Sequence, residues 1–109
     1  MSEISVFEFK ELLDSNQKIA ILDVRENEEL VFSKFENFLH IPLMLLQQEI
    51  DQWKTYSENA EHKVVICKSG IRSMKAVEFL NDTLNEKHLN LEGGINKYAQ
   101  EIDTSIGLY

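Results

Sequence analysis

Seven consecutive residues, Cys67-Lys68-Ser69-Gly70-Ile71-Arg72-Ser73, carry the side chains best equipped for chemistry. Cys67 is the only cysteine in the chain. A cysteine attacks as thiolate, and a free thiol with a pKa of about 8.5 is only ~3% ionised at pH 7. Two cations, Lys68 and Arg72, and a glycine follow within five positions. The backbone N–H groups of Lys68 to Ser73 can converge on the sulfur as an anion-binding nest at a helix N-terminus. Each of these features favours thiolate over thiol. The competing reading is a buried structural cysteine, since free cysteine is among the most buried residue types. The cations and the glycine weigh against it.

The flanking pattern says which elements must hold this loop. Val64 to Ile66 is an apolar, β-branched run that reads as a short buried strand. Gly70 interrupts it, and from about Ile71 the apolar residues Ile71, Met74, Val77, Leu80 and Leu84 recur at helical spacing. Cys67 therefore stands at the carboxyl end of a strand and before a helix. That is where ligands sit in an open α/β sheet.

The loop resembles the active-site loop of the rhodanese (sulfurtransferase) homology domain. Upstream, Ile21-Leu22-Asp23-Val24-Arg25-Glu26 resembles that family's first motif. Downstream, Leu91-Glu92-Gly93-Gly94-Ile95 with Tyr98-Ala99 is similar to its closing strand and aromatic-bearing helix. Ser33 to Leu43 keeps the family's Ile41-Pro42-Leu43, but Ser33-Lys34-Phe35 replaces its Gly-His-Ile triplet and no glycine precedes Phe38. Tyr98 stands where family members commonly carry Trp. The tail from Ile102 to Tyr109 resembles the ending of rhodanese domains attached to ubiquitin-activating-like adenylyltransferases.

At 109 residues the chain is expected to form one domain, residues 1–109, around a single core. Its 43% apolar and 28% charged content suits an ordinary globular protein. A formal charge of −8 argues against nucleic acid as a partner, since general nucleic-acid binding needs a basic face. One cysteine cannot close an internal disulfide, and no Cys/His cluster has metal-ligand spacing. His40, His62 and His88 are scattered and read as surface or strand positions. No signal-peptide pattern and no apolar run near ~20 residues is present, so the expectation is a cytoplasmic protein without a membrane partner. A reducing compartment also suits a working thiol.

In chain order, Ile4 lies in a short edge strand. Ser5 with Glu8 fits a capping box opening a helix from about Val6 to Asp14, with Val6, Phe9, Leu12 and Leu13 inward. Ser15 to Gln17 is a turn and Lys18 to Val24 a buried strand. Asp23 and Arg25, two apart at its end, can share a side. Glu26 to Phe32 starts acidic, as a helix N-terminus prefers. Phe38 to Leu43 reads as a strand closed by Pro42, Leu43 to Trp53 as a helix presenting Leu45, Leu46, Ile50 and Trp53, and Thr55 to His62 as a surface loop. His88 to Leu91 is the last strand and Asn96 to Ile102 the last helix.

Alternating strands and helices imply an α/β domain, a mainly parallel sheet with helices on both faces. The resemblance implies a three-layer rhodanese-like fold, five strands in the order 1-5-4-2-3, and transfer of a sulfane sulfur through a Cys67 persulfide. On that reading the donor is thiosulfate or another sulfane-sulfur compound, and the acceptor a thiol, cyanide or a protein. Lys68, Ser69, Gly70, Ile71, Arg72 and Ser73 form the active-site loop, Asp23 and Arg25 support its rim, and no cofactor or metal is required. Two alternatives stand beside it. One is a sulfur-carrier or interaction module acting only with a protein partner. The other is a cysteine-dependent phosphatase, but those enzymes place five residues between Cys and Arg, whereas four separate Cys67 from Arg72.

Overall fold

Five parallel strands run in the order β1-β5-β4-β2-β3, as the computed structural model of residues 2–109 shows. They are β1 (Glu3–Ile4), β2 (Ile19–Asp23), β3 (Leu39–His40), β4 (His62–Ile66) and β5 (Leu89–Leu91). The central ladder pairs Ile19 with His62 through to Asp23 with Ile66. Val64 to Ile66 are fully buried, the burial expected of a central parallel strand. Period-two alternation divides the core. Val65 and Cys67 face a layer with Leu22, Trp53, Val77 and Leu80. Val64 and Ile66 face the opposite layer with Phe9, Phe35, Leu91, Ile95 and Tyr98.

Four α-helices cover the two faces: α1 (Val6–Leu13), α2 (Ile50–Ser57), α3 (Ile71–Leu84) and α4 (Gly94–Glu101). The expected capping box opens α1: Ser5 Oγ accepts from the Glu8 amide at 3.1 Å, and Glu8 Oε1 accepts from the Ser5 amide at 3.0 Å. Leu13 is not inward as expected; it ends the helix exposed.

Several expected boundaries are corrected. The acidic segment after β2 forms a 3-10 helix at Asn27–Val31. The expected strand from Phe38 to Leu43 is regular only over Leu39–His40, although the Ile41 and Leu43 amides still donate to the Asp23 and Val24 carbonyls, each at 3.0 Å. The expected helix from Leu43 to Trp53 is broken: a 3-10 turn at Leu43–Leu45 is separated from α2, and Glu49 leaves helical geometry at φ −112°, ψ 21°. At its other end α2 runs on to Ser57, so the expected loop from Thr55 shrinks. The last helix begins at Gly94, two residues early. His88 precedes β5 and is fully buried rather than at a surface. Its Nε2 accepts from Trp53 Nε1 at 3.0 Å. No helix among the described residues is long and apolar enough to cross a membrane.

Candidate active site

β4 delivers Cys67 to the carboxyl edge of the sheet, and α3 starts four residues later. The loop between them wraps around the sulfur. The amides of Gly70 and Ser73 donate to Cys67 Sγ at 3.1 and 3.3 Å, and Ser73 Oγ lies 3.2 Å away. Of the expected nest, these two amides are the ones that reach the sulfur. Hydrogen bonds of this kind are stronger to a thiolate than to a thiol. The cysteine is 1% exposed, so the loop and not the bulk solvent forms its surroundings.

Two glycines let the backbone close so tightly. Gly70 sits at φ 98°, a left-handed conformation that side chains disfavour. Gly94 sits at φ 69°, and a Cβ there would lie 2.2 Å from the Lys68 carbonyl oxygen. That close approach lets the start of α4 hold the loop from behind. The Ile95 amide donates to the Cys67 carbonyl at 2.9 Å and the Asn96 amide to the Lys68 carbonyl at 3.2 Å.

Asn90, on β5, is a site residue that the sequence reading missed. It is 1% exposed. Its Oδ1 accepts from the Ser73 hydroxyl, and its Nδ2 donates to the Gly70 carbonyl at 3.1 Å and to Glu3 Oε2 at 3.4 Å. A polar residue inside an otherwise apolar strand is the one sequence signal that points to it.

The two loop cations behave differently. Arg72 donates to Glu29 through both terminal guanidinium nitrogens, at 2.6 and 2.9 Å. A carboxylate from the 3-10 helix thus occupies its fork. Glu29 also accepts from the Tyr109 hydroxyl at 2.7 Å. Arg72, then Tyr109 and the Glu26 amide, outweigh partial burial and hold the Glu29 carboxyl down to about 2. The same pairing raises Arg72. Among the described residues Lys68 makes no ion pair, and it stands 4.8 Å over the Tyr109 ring. Ser69 and Ile71 are exposed, Ile71 at 69%, so Ile71 does not serve the core as its spacing suggested.

Asp23 and Arg25 do share a side. Arg25 is fully buried and donates to both Asp23 carboxylate oxygens, at 2.7 Å in the closest contact. It also donates to the Ser33 carbonyl at 2.7 Å and to the Tyr109 hydroxyl at 3.1 Å. Ser33 and Tyr109, like Glu29, were not singled out from the sequence. Tyr109 links the two arginines because the tail returns across the 3-10 helix, where its ring stacks on Phe32 at 5.1 Å.

The family model for the rhodanese-like domain matches residues 5–101. The chain belongs to the rhodanese-like domain family. Among its relatives is Bacillus subtilis YtwF, provisionally named a sulfurtransferase, which is 31% identical over 93% of each chain. Xenopus laevis adenylyltransferase and sulfurtransferase MOCS3 is 30% identical over 97% of this chain, which spans only 27% of that longer protein. A rhodanese-related protein of known structure from Thermoplasma volcanium is 32% identical, covers 94% of each chain and superposes with a TM-score of 0.78. The five-stranded 1-5-4-2-3 sheet inferred from the family resemblance is the one observed.

Proposed function

We propose that this rhodanese-like domain is a sulfurtransferase that carries a sulfane sulfur as a persulfide on Cys67. The observation that carries the reading is the cradle itself: the chain's one cysteine, at the end of the central strand, with two amides donating to its sulfur and the Ser73 hydroxyl oxygen beside it. The Cys67 thiolate attacks the outer sulfur of a donor such as thiosulfate. A sulfur–sulfur bond forms, the donor's own sulfur–sulfur bond breaks, and sulfite leaves with the electron pair. The loop amides then stabilise the terminal persulfide anion. A thiophilic acceptor, whether cyanide, a thiol or a protein, removes the outer sulfur and restores the thiolate. Splitting the transfer in two predicts ping-pong kinetics.

Asp23 and Arg25 take no part in bond making on this account. Their charges are mutually satisfied and enclosed, so they fix the rim through Ser33 and Tyr109. The experiment is an initial-rate study of sulfur transfer from thiosulfate to cyanide. Parallel double-reciprocal lines are expected, with no activity in Cys67→Ser. Cys67-dependent hydrolysis of an aryl phosphate at a comparable rate would instead favour phosphatase chemistry.

A further inference from the structure

The charges around Cys67 cancel, and that bears on the kind of donor the site accepts. A guanidinium fork is matched to two oxygens of an oxyanion, but Arg72 already spends that fork on Glu29. The Tyr109 hydroxyl adds a third hydrogen bond to the same carboxylate, so Glu29 stays ionised throughout the neutral range. Arg25 is likewise spent on Asp23. Among the described residues, Lys68 is the one loop cation without a carboxylate partner. A single lysine charge balances the Cys67 thiolate and leaves no surplus. A further carboxylate, Glu3, reaches the loop's support through Asn90.

We propose that the site takes its sulfur from a low-charge persulfide, R–S–SH or its monoanion, in preference to the thiosulfate dianion, and that Glu29 sets this preference by occupying Arg72. The inference rests on Cys67 being the sulfur acceptor. Binding thiosulfate through Arg72 requires its oxygens to displace a bidentate, hydrogen-bonded carboxylate. The displaced charge would then remain beside the incoming dianion. A persulfide needs no such exchange. The thiolate attacks the outer sulfur of R–S–SH, and the new bond forms between Sγ and that sulfur. The R–S to sulfur bond breaks, and the departing thiolate takes up the proton of the outer sulfur. Cys67 is left as a persulfide anion and R–SH is released; charge and hydrogen balance, and no external oxidant or reductant enters.

The test follows sulfur loading of Cys67 by intact mass in single-turnover reactions, with sodium thiosulfate and with cysteine persulfide as donors. Wild type and Glu29→Gln are compared at low and high salt. Removing the carboxylate charge frees Arg72, so Glu29→Gln is expected to load from thiosulfate about tenfold faster while changing persulfide loading far less. Salt should not slow thiosulfate loading of the wild type, because there is no net positive field to screen, but should slow it in Glu29→Gln. The inference is overturned if wild-type thiosulfate loading falls steeply with salt, or if Glu29→Gln alters both donors equally. Should Glu29→Gln fail to fold, Tyr109→Phe, which strips the hydroxyl from Glu29, must shift the donor ratio in the same direction, and the wild-type salt response still decides. Failure of both donors to load any sulfur refutes the sulfurtransferase reading itself, and the donor preference falls with it.

Discussion

The Ser73 hydroxyl gives its proton to Asn90, so it faces Cys67 Sγ as a lone pair when the sulfur holds its hydrogen. Asn90 simultaneously ties down the Gly70 carbonyl, whose own amide points at the sulfur. One buried side chain thus braces both loop groups that flank the nucleophile. Asn90→Leu removes the acceptor of the buried Ser73 hydroxyl and one of two donors to the Gly70 carbonyl, which keeps the Met74 amide at 3.3 Å. A buried group left without its partner costs about 1–3 kcal/mol. Urea unfolding should show a lower midpoint, and iodoacetamide should modify Cys67 more slowly at neutral pH as the amides drift from the sulfur. The cysteine, the loop and its cations were legible in the sequence because all lie within seven residues. Asn90, Glu29 and Tyr109 were not, because their partners lie 17, 43 and 80 or more residues away and only the folded sheet brings them together.

Three elements meet at the loop: β4 places Cys67, α3 begins with Ile71, and the first turn of α4 grips the Cys67 and Lys68 carbonyls. The grip depends on Gly94. Alanine there sets a Cβ 2.2 Å from the Lys68 carbonyl at a backbone angle that L-residues rarely adopt. Gly94→Ala is expected to lose about 1–3 kcal/mol from backbone strain alone, with a fall in melting temperature and a large loss of sulfur transfer. An alanine at the exposed Ser69 should change neither melting nor folding detectably. At this scale the sequence was informative where local chemistry decides the outcome. The Ser5–Glu8 box and the strand at Val64–Ile66 both formed where expected. It was less informative where no Pro or Gly marks a change, as at the helix break around Glu49. The pairing that limits β3 to two residues is a property of the sheet edge, not of Phe38 to Leu43 alone.

Across the whole molecule, stability should depend on pH through a group far from the cysteine loop. His88 is buried with Nε2 accepting from Trp53, while Nδ1 lies 3.1 Å from Asn81 Oδ1 and 3.2 Å from the Glu86 carbonyl. That pattern fits a neutral ring with its proton on Nδ1. Burial, the dominant influence, lowers His88 below an ordinary histidine. The unfolded chain, with a histidine near 6.5, therefore binds the proton more readily than the folded one. Stability from this residue is present above about pH 6.5 and declines as pH falls below it. Glu29, held at about 2, has the same sign in a separate window, between the ordinary carboxylate value and about 2. Urea unfolding followed by Trp53 fluorescence should give a lower midpoint at pH 5.5 than at pH 7.5, a range in which only the histidine window is crossed. His88→Gln, which keeps an acceptor for Trp53, should flatten that difference.

All of these expectations serve a fold that ends its central strand in one cradled cysteine, and the central claim is that this sulfur accepts another. Intact mass spectrometry of the protein after exposure to a sulfane-sulfur donor tests it directly. The expected result is a single added sulfur, removed by cyanide or dithiothreitol and absent from Cys67→Ser. A correctly folded wild-type protein that gains no sulfur from either thiosulfate or cysteine persulfide would contradict the account.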